Sequence, residues 1–257
     1  MSSEFVLETR NLVKEFKGFT AVDEVNLKVS RGNIHALIGP NGAGKTTVFN
    51  LLTKFLIPTR GQILFNDQDI TSMKSAAIAR MGIIRSFQIS AVFPHMTALE
   101  NVRVALQRFE GSSFHFWKSE KTLNKLNEKA YALLESVGLE TFADTVTVEL
   151  SYGRKRALEL ATTLAMEPEL VLLDEPTQGM GHEDVDRVVE LIRKAAVGRT
   201  VLMVEHNLSV VSKLCDQITV LTRGAVLTEG DYKAVSENPD VKEAYMGSES
   251  AAIEGAH

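Results

Sequence analysis

The residues best suited to chemistry lie in a glycine-rich stretch directly after a short apolar run at 34–38. Glycines let successive backbone N–H groups converge on one anion, and a following lysine adds a positive point charge. A threonine at the start of the next helix can bind Mg²⁺, while the helix N-terminus attracts phosphate. The alternative is a glycine-rich turn that binds no ligand. The pattern predicts a nucleoside triphosphate site formed by Gly39, Pro40, Asn41, Gly42, Ala43, Gly44, Lys45, Thr46 and Thr47.

Two acidic residues, Asp174 and Glu175, end a second apolar run at 170–174. An acidic residue at the end of a buried strand beside a phosphate loop can hold Mg²⁺ directly or through water. Glu175 can polarise a water molecule for in-line attack on the γ-phosphate. The alternative for one of the two is a cap or an ion pair. With the phosphate loop upstream, the pair predicts a metal and hydrolysis site.

Three further positions carry weaker signals. A third apolar run, 200–204, leads to His206, which can donate a hydrogen bond to a γ-phosphate oxygen or be purely structural. Ser151 is typical of a helix N-cap, and Gly153 keeps the backbone open to an anion, although a plain helix start explains both. Phe16 lies beside a glycine turn and can stack on a base or pack internally.

The elements that must position these residues follow from hydrophobic spacing. Runs 170–174 and 200–204, joined by a helix with one apolar face, indicate strands buried on both sides in a parallel sheet. Apolar and polar residues alternate over 25–30, which predicts a half-exposed antiparallel strand, and 62–65 predicts another that turns at 66–67. Helical spacing places Ala157, Leu160, Ala161 and Leu164 on one face of a helix that follows the 150–154 segment, and it predicts a second helical face that Gly138 ends. Helical spacing also relates Val48, Phe49, Leu51, Leu52 and Phe55.

These elements predict an α/β protein: a phosphate-loop nucleoside triphosphatase core with a mainly parallel sheet, an antiparallel β-subdomain and an α-helical subdomain. We expect one domain over 1–257, with the core and β-subdomain at 1–87 and 166–240. The helical subdomain spans 88–165, and 241–257 is a tail. Aromatic residues at 111–117 indicate either a docking surface or a small local core.

Composition limits the function further. The net charge of -5 argues against a nucleic-acid-binding surface, and the single cysteine, Cys215, excludes an internal disulfide. Neither a signal peptide nor a membrane-spanning run is recognisable. We therefore expect a cytoplasmic location, with any membrane supplied by a partner.

Taken together, the motifs resemble those of ATP-binding cassette ATPases over nearly the whole chain. The phosphate loop, Gln88, the Leu-Ser-x-Gly segment at 150–153, the Leu-Asp-Glu-Pro-Thr segment at 173–177 and His206 occur in that family's order. Kinases and GTPases with a phosphate loop lack the 150–153 signature and the later histidine. The resemblance implies a helical signature subdomain, and ATP and Mg²⁺ as ligands.

The resemblance also implies a role for each residue. Phe16 would stack on adenine, and Val22 would also bind the nucleotide. Thr46 and Asp174 would bind Mg²⁺. Gln88 would bind Mg²⁺ with them and sense both the ion and the attacking water. Glu175 would be the catalytic base, and His206 the switch histidine. Ser151 and Gly153 would contact the γ-phosphate of ATP held by a second copy.

A signature that serves a neighbour's nucleotide implies that two cassettes close head to tail around two ATP molecules. We therefore expect a homodimer or a pair with a related ATPase subunit, bound to membrane permease subunits and indirectly to a substrate-binding protein. The chain would be peripheral on the inner face of the membrane. No nucleic-acid partner is expected.

Within the superfamily, four features resemble the ATPase subunits of branched-chain amino acid importers and related urea and amide carriers. They are Tyr152 in the signature, the Ile-Ile-Arg-Ser-Phe-Gln segment that ends at Gln88, the aromatic insertion after 100–102 and the ending at 238–247. An exporter ATPase or a soluble cassette protein is the alternative. Arg154 stands where the family usually has Gln or Glu, and Gly181 where Asp or Asn is usual. The second departure puts the coupling between the two sites in question.

Overall fold

A computed structural model describes residues 4–86, 92–107 and 126–245 of the chain. Gln88 and the aromatic segment 111–117 lie outside the described residues, so the predictions made for them stay predictions. Within the described part of the chain, no helix is long and apolar enough to cross a bilayer.

The described residues form two sheets. The strands are β1 (Phe5–Phe16), β2 (Phe19–Val25), β3 (Lys28–Ser30), β4 (Ile34–Ile38), β5 (Arg60–Phe65), β6 (Gln68–Asp69), β7 (Ile83–Ser86), β8 (Leu170–Asp174), β9 (Thr200–Val204), β10 (Gln217–Thr222) and β11 (Ala225–Gly230). The helices are α1 (Lys45–Leu52), α2 (Ser75–Arg80), α3 (Ala98–Leu106), α4 (Asn127–Ser136), α5 (Tyr152–Leu164), α6 (His182–Ala196), α7 (Leu208–Leu214) and α8 (Tyr232–Glu237).

The larger sheet has the strand order β11-β10-β4-β9-β8-β7, and all its neighbours are parallel except the β10 and β11 pair. The helix α6 connects β8 to β9, and α7 connects β9 to β10. Parallel strands need such crossover connections, because a tight turn would place the second strand antiparallel to the first. The predicted mainly parallel core is confirmed.

Alternate residues of the central strands enter two separate hydrophobic clusters. Leu172 and Leu202 point to the cluster that contains α1, whereas Leu173 and Met203 point to the cluster beneath α5 and α6. A strand with a core on each face cannot alternate apolar with polar residues. This explains why the runs 170–174 and 200–204 are uninterrupted.

The smaller sheet is antiparallel and covers the cluster around α1. The strand β1 pairs with β2, β3 and β5, and β5 pairs with β6. Val25, Leu27 and Val29 are completely buried, as their alternation predicted. The turn from β5 to β6 is made by Asn66 and Asp67, both with positive φ, a conformation that these residue types tolerate. The antiparallel strand predicted at 62–65 is confirmed within β5. The strand predicted over 25–30 is divided instead, because β2 ends at Val25 and β3 spans only Lys28–Ser30.

One helix is shorter than its apolar spacing predicted. The helix α1 ends at Leu52, and the side chain of Phe55 is 66% exposed instead of joining the helical face. Lys54 has φ 61°, so the backbone leaves the right-handed helical region one residue before Phe55. Placing Phe55 on the apolar face of α1 was therefore wrong.

Candidate nucleotide-binding and hydrolysis site

Three of the predicted site segments lie at one edge of the parallel sheet. Val204, at the end of β9, pairs with Leu37 of β4 on one side and with Asp174 of β8 on the other. The backbone N–H of Glu175 also donates a hydrogen bond to the carbonyl of Val204 at 2.9 Å. The carboxyl ends of β4, β8 and β9 therefore bring together the phosphate loop, the acidic pair and the segment that contains His206, as parallel-sheet topology requires.

The loop between β4 and α1 can be formed only with glycine at its two ends. Gly39 has φ 148° and Gly44 has φ 101°. A Cβ atom would lie 2.1 Å from the carbonyl oxygen of Leu221 at Gly39, and 2.6 Å from that of Ala21 at Gly44. Both the backbone conformation and the lack of space exclude a side chain. The loop backbone is therefore fixed from outside by neighbouring carbonyl groups.

The ammonium group of Lys45 is held inside this loop. Its Nζ donates hydrogen bonds to the carbonyl oxygens of Gly39 at 2.6 Å and Pro40 at 2.9 Å. Burial lowers the pKa of Lys45, and the nearby Glu175 carboxylate opposes that shift. In the same loop Asn41, Gly42 and Thr46 are exposed, Pro40, Gly44 and Thr47 are half-buried, and Ala43 is buried.

The aromatic residue predicted to stack on a base lies at a hairpin. Phe16 ends β1 and pairs with Phe19 at the start of β2, across a turn at residues 17–18. Its side chain is 41% exposed, and Nζ of Lys14 lies 5.0 Å from its ring centroid. Val22, also predicted to bind nucleotide, is completely buried. Part of the Phe16 ring is therefore exposed at the surface, whereas Val22 supports the hairpin from the core.

The acidic pair occupies two different environments. The carboxylate of Asp174 accepts a hydrogen bond from Nη2 of Arg85, and both side chains are largely buried. Glu175 is half-buried and has φ 47°, a left-handed conformation that is strained for a residue with a long side chain. Sequence reasoning did not identify Arg85, which lies 89 positions before its partner.

A buried glutamate organises the segment around His206. Glu205 is completely buried, and its Oε2 accepts hydrogen bonds from the backbone N–H groups of His206 at 2.8 Å and Asn207 at 3.0 Å. Its Oε1 accepts from the backbone N–H of Thr177 at 3.2 Å and from the hydroxyl of the same residue. The His206 side chain is 56% exposed. Sequence reasoning did not predict this role of Glu205, because a charged residue after an apolar run indicates only where the strand ends.

The signature segment lies at the molecular surface. Ser151 and Tyr152 are exposed and Gly153 is half-buried at the start of α5. Ser151 occupies the N-cap position, as predicted, although its side chain makes no capping hydrogen bond. Ser151 and Gly153 line a cavity of about 620 Å³ together with Asp184, Arg187 and other residues of α6. The Ser151 hydroxyl is thereby left available to another molecule.

The two departures from the family pattern have different structural outcomes. The guanidinium of Arg154 lies 3.9 Å from the ring centroid of Phe142, a cation–π contact on the helical subdomain. Gly181 has φ −73° and open space around it, so nothing in the structure explains a glycine there.

The loop that follows the undescribed residues 87–91 is fixed by a buried amide. Asn101, on α3, accepts a hydrogen bond from the backbone N–H of Phe93 at 2.7 Å through Oδ1. Its Nδ2 donates to the carbonyl of Phe93 at 3.1 Å and to the hydroxyl of Thr147 at 3.0 Å. The Phe93 side chain itself is exposed. Asn101 therefore joins this surface loop to the helical subdomain.

Comparison with known proteins identifies the family. A family model described as ABC transporter matches residues 22–178. The high-affinity branched-chain amino acid transport ATP-binding protein BraF of Pseudomonas aeruginosa is 39% identical over 252 residues, which cover 94% of this chain and 98% of BraF. The high-affinity branched-chain amino acid transport ATP-binding protein LivG of Escherichia coli is 38% identical, with 95% of this chain and 99% of LivG covered.

Solved structures give the same result. The ADP conformation of an ATP-binding cassette of an ABC transporter superposes with a TM-score of 0.82 at 31% identity, covering 95% of this chain and all of the cassette. A dimeric bacterial ABC transporter cassette superposes with a TM-score of 0.73 at 25% identity, covering 88% of this chain and 98% of the cassette. The chain belongs to the ABC transporter family and is one of its ATP-binding cassettes, an ATPase.

Proposed function

We propose that this chain hydrolyses ATP to drive the import of branched-chain amino acids through a membrane permease. The observation that carries the proposal is the similarity to BraF and LivG over nearly the full length of all three chains. Conversion of ATP binding into movement requires the hydrolytic residues as well, and this chain has both Glu175 and His206 at the same sheet edge.

The phosphate loop supports binding of the triphosphate. In the loop, Lys45 donates to two carbonyl groups, and phosphate oxygens are better acceptors because they are charged. The ammonium group would turn from Gly39 and Pro40 to the β- and γ-phosphates, while the N-terminus of α1 faces the anion. Phe16 would stack on adenine, with Val22 behind the hairpin.

The oxygen donors at the sheet edge fit a magnesium site. Mg²⁺ prefers hydroxyl, carboxylate, amide and phosphate oxygens. Thr46 offers an exposed hydroxyl, and Asp174 a carboxylate whose position is fixed by an ion pair. Gln88 would complete this set. When bound, Mg²⁺ would offset the charge of the phosphates.

The chain's own residues would carry out hydrolysis. Glu175 would orient and polarise the attacking water, and His206 would donate a hydrogen bond to a γ-phosphate oxygen. Glu205 supports this arrangement, because it accepts hydrogen bonds from the backbone N–H groups of both Thr177, which follows Glu175 closely in the chain, and His206. ADP would be the leaving group, and a hydrogen bond to the γ-phosphoryl group that is transferred to water stabilises the charge spread over its equatorial oxygens.

The exposed signature supports a shared site. Ser151 and Gly153 would reach the γ-phosphate bound by a second cassette, identical or related, so that each active site is completed across an interface. ATP would then join the two cassettes, and hydrolysis would separate them. A permease would place the pair on the inner face of the membrane, and a substrate-binding protein would deliver the solute.

Reconstitution tests the proposed substrate. The chain is purified with the permease subunits that copurify with a tagged copy, then placed in liposomes with the cognate binding protein. We expect uptake of labelled leucine, isoleucine and valine that needs ATP and is lost with Glu175→Gln. Uptake of urea or an amide instead of these amino acids would refute the substrate, and release of solute would refute import.

A further inference from the structure

We infer that Arg85 is a positioning residue for hydrolysis. Its guanidinium is anchored on Asn50 and holds the carboxylate of Asp174 in the orientation in which that carboxylate binds Mg²⁺. The inference rests on the proposed function, because it takes Asp174 as a magnesium ligand.

Two hydrogen bonds from the Arg85 guanidinium form a bridge between α1 and the end of β8. Arg85 lies on β7 opposite Leu172 of β8, and its side chain reaches toward the end of that strand. Nη1 donates to Oδ1 of Asn50 at 2.8 Å, and Nη2 donates to Oδ2 of Asp174. Asn50 belongs to α1, the helix that begins with Lys45. The guanidinium therefore connects the helix that follows the phosphate loop to the strand end that carries the acidic pair.

The surroundings keep this bridge in one place. The Arg85 side chain is only 7% exposed, and its guanidinium carbon lies 6.0 Å from the ring centroid of Phe49 and 5.8 Å from that of Phe55. Aromatic faces attract the cation and exclude water. Removing the partner of a buried charge strongly destabilises a protein, because the remaining charge is neither paired nor hydrated. The burial of Arg85 therefore favours its ion pair with Asp174. Phe55 lies beyond the end of α1, and its ring packs near the guanidinium.

This arrangement orients a metal ligand. Groups that hydrogen-bond to a metal ligand set its direction, and their loss usually reduces metal affinity or activity by about 10–100-fold. One oxygen of Asp174 is engaged by Arg85, which fixes the plane of the carboxylate. The planar, two-pronged guanidinium can bond to Asn50 and Asp174 together, and a lysine ammonium does not reproduce this fork.

The test measures metal dependence apart from turnover. The affinity of the full chain for ADP is determined over a range of Mg²⁺ concentrations and in EDTA, for the wild type and for Arg85→Met. Methionine keeps much of the side-chain length but has no donors. We expect ADP affinity in EDTA to be unchanged and the half-saturating Mg²⁺ concentration to rise by about 10–100-fold. An unchanged Mg²⁺ requirement would overturn the inference.

Arg156→Met is the matched control. Arg156 is also buried and paired, with Oε2 of Glu159 at 2.9 Å, but it lies on α5. Its replacement should lower stability without changing the Mg²⁺ requirement for ADP. If Arg156→Met raised that requirement as much as Arg85→Met, the effect would be general destabilisation and the inference would be wrong.

Two further variants separate the possible failures. Asp174→Asn should raise the Mg²⁺ requirement if the proposed metal site is correct. If only Asp174→Asn raises it, the role of Arg85 is refuted and the metal site stands, whereas no change in either variant refutes the metal site itself. If Arg85→Met does not fold, Asn50→Ala decides, because it removes the anchor and keeps the ion pair. A raised requirement supports the bridge, and an unchanged one overturns it.

Discussion

Glu205 accepts two hydrogen bonds from Thr177, one from its backbone N–H at 3.2 Å and one from its hydroxyl. The other carboxylate oxygen accepts from the backbone N–H groups of His206 and Asn207. One buried carboxylate therefore fixes the backbone that follows Glu175 and the backbone that carries His206.

Glu205→Gln should destabilise the fold. The amide nitrogen would face backbone N–H donors, leaving them without an acceptor, and we expect the free energy of unfolding to fall by about 2–4 kcal/mol. Urea unfolding measures this change. Glu190→Gln, at an exposed glutamate of α6, is the control and should change stability by no more than about 0.5 kcal/mol. Equal stability of the two variants would contradict the role given to Glu205.

Gly39→Ala should damage the phosphate loop. A Cβ atom would lie 2.1 Å from the Leu221 carbonyl oxygen at a φ of 148°, so we expect a loss of about 1–3 kcal/mol of stability from strain and at least about tenfold weaker ATP binding. Equilibrium binding of a fluorescent ATP analogue measures the second effect. Gly181→Ala, where the backbone is unstrained and open, should leave affinity unchanged. Normal affinity in Gly39→Ala would mean that the loop conformation is wrong.

Stability should depend on pH through a histidine beneath the phosphate loop. His35 is completely buried, its Nε2 lies 2.8 Å from the Thr219 hydroxyl oxygen, and burial lowers its pKa from 6.5 to about 4. In the unfolded chain His35 is protonated below about pH 6.5, whereas in the folded chain it is protonated only below about pH 4. Stability is therefore complete above pH 6.5 and decreases as the pH falls toward 4, by about 3 kcal/mol from this group.

The variant His35→Gln isolates that contribution. Glutamine can form a hydrogen bond with the Thr219 hydroxyl but does not titrate, so the stability of the wild type relative to the variant should decrease by about 3 kcal/mol from pH 7 to pH 4. Denaturant unfolding at several pH values gives the comparison. A constant difference between the two proteins would show that burial does not suppress protonation of His35.

Lys45→Ala should remove most nucleotide affinity. The ammonium group is the positive charge that the loop itself holds in position, and a hydrogen bond to a charged group contributes about 1.5–3 kcal/mol. We expect at least about tenfold weaker binding of ATP, measured by calorimetry. The control variant Lys28→Ala, at an exposed lysine, should bind ATP with unchanged affinity. Retained affinity would mean that the phosphate loop was misidentified.

Most of the fold could be predicted because the signals are local. Two cores, one on each face of the parallel sheet, require uninterrupted apolar strands, and such runs are visible at 170–174 and 200–204. Left-handed turns favour Asn and Asp at 66–67. The convergence of Lys45, Asp174 and His206 follows from sheet topology alone.

The contacts that fix the site could not be predicted in the same way. Arg85 and Asp174 are far apart in the sequence, and no spacing rule connects an arginine on one strand to a carboxylate on the next. Ser151 has the right residue type for a cap, but its side chain makes no such bond. Phe55 has helical spacing, but the backbone turns at Lys54 before reaching it. In each case side-chain packing decided what the pattern left open.

The central claim is that each chain supplies half of two shared hydrolytic sites. Glu175→Gln should still bind ATP but not hydrolyse it, so ATP would hold two cassettes together. Light scattering during gel filtration in saturating ATP and Mg²⁺ measures this directly, with Lys45→Ala as the control that stays monomeric. The account predicts a stable dimer of Glu175→Gln that dissociates when ATP is removed, and a protein that binds ATP yet remains monomeric would contradict it.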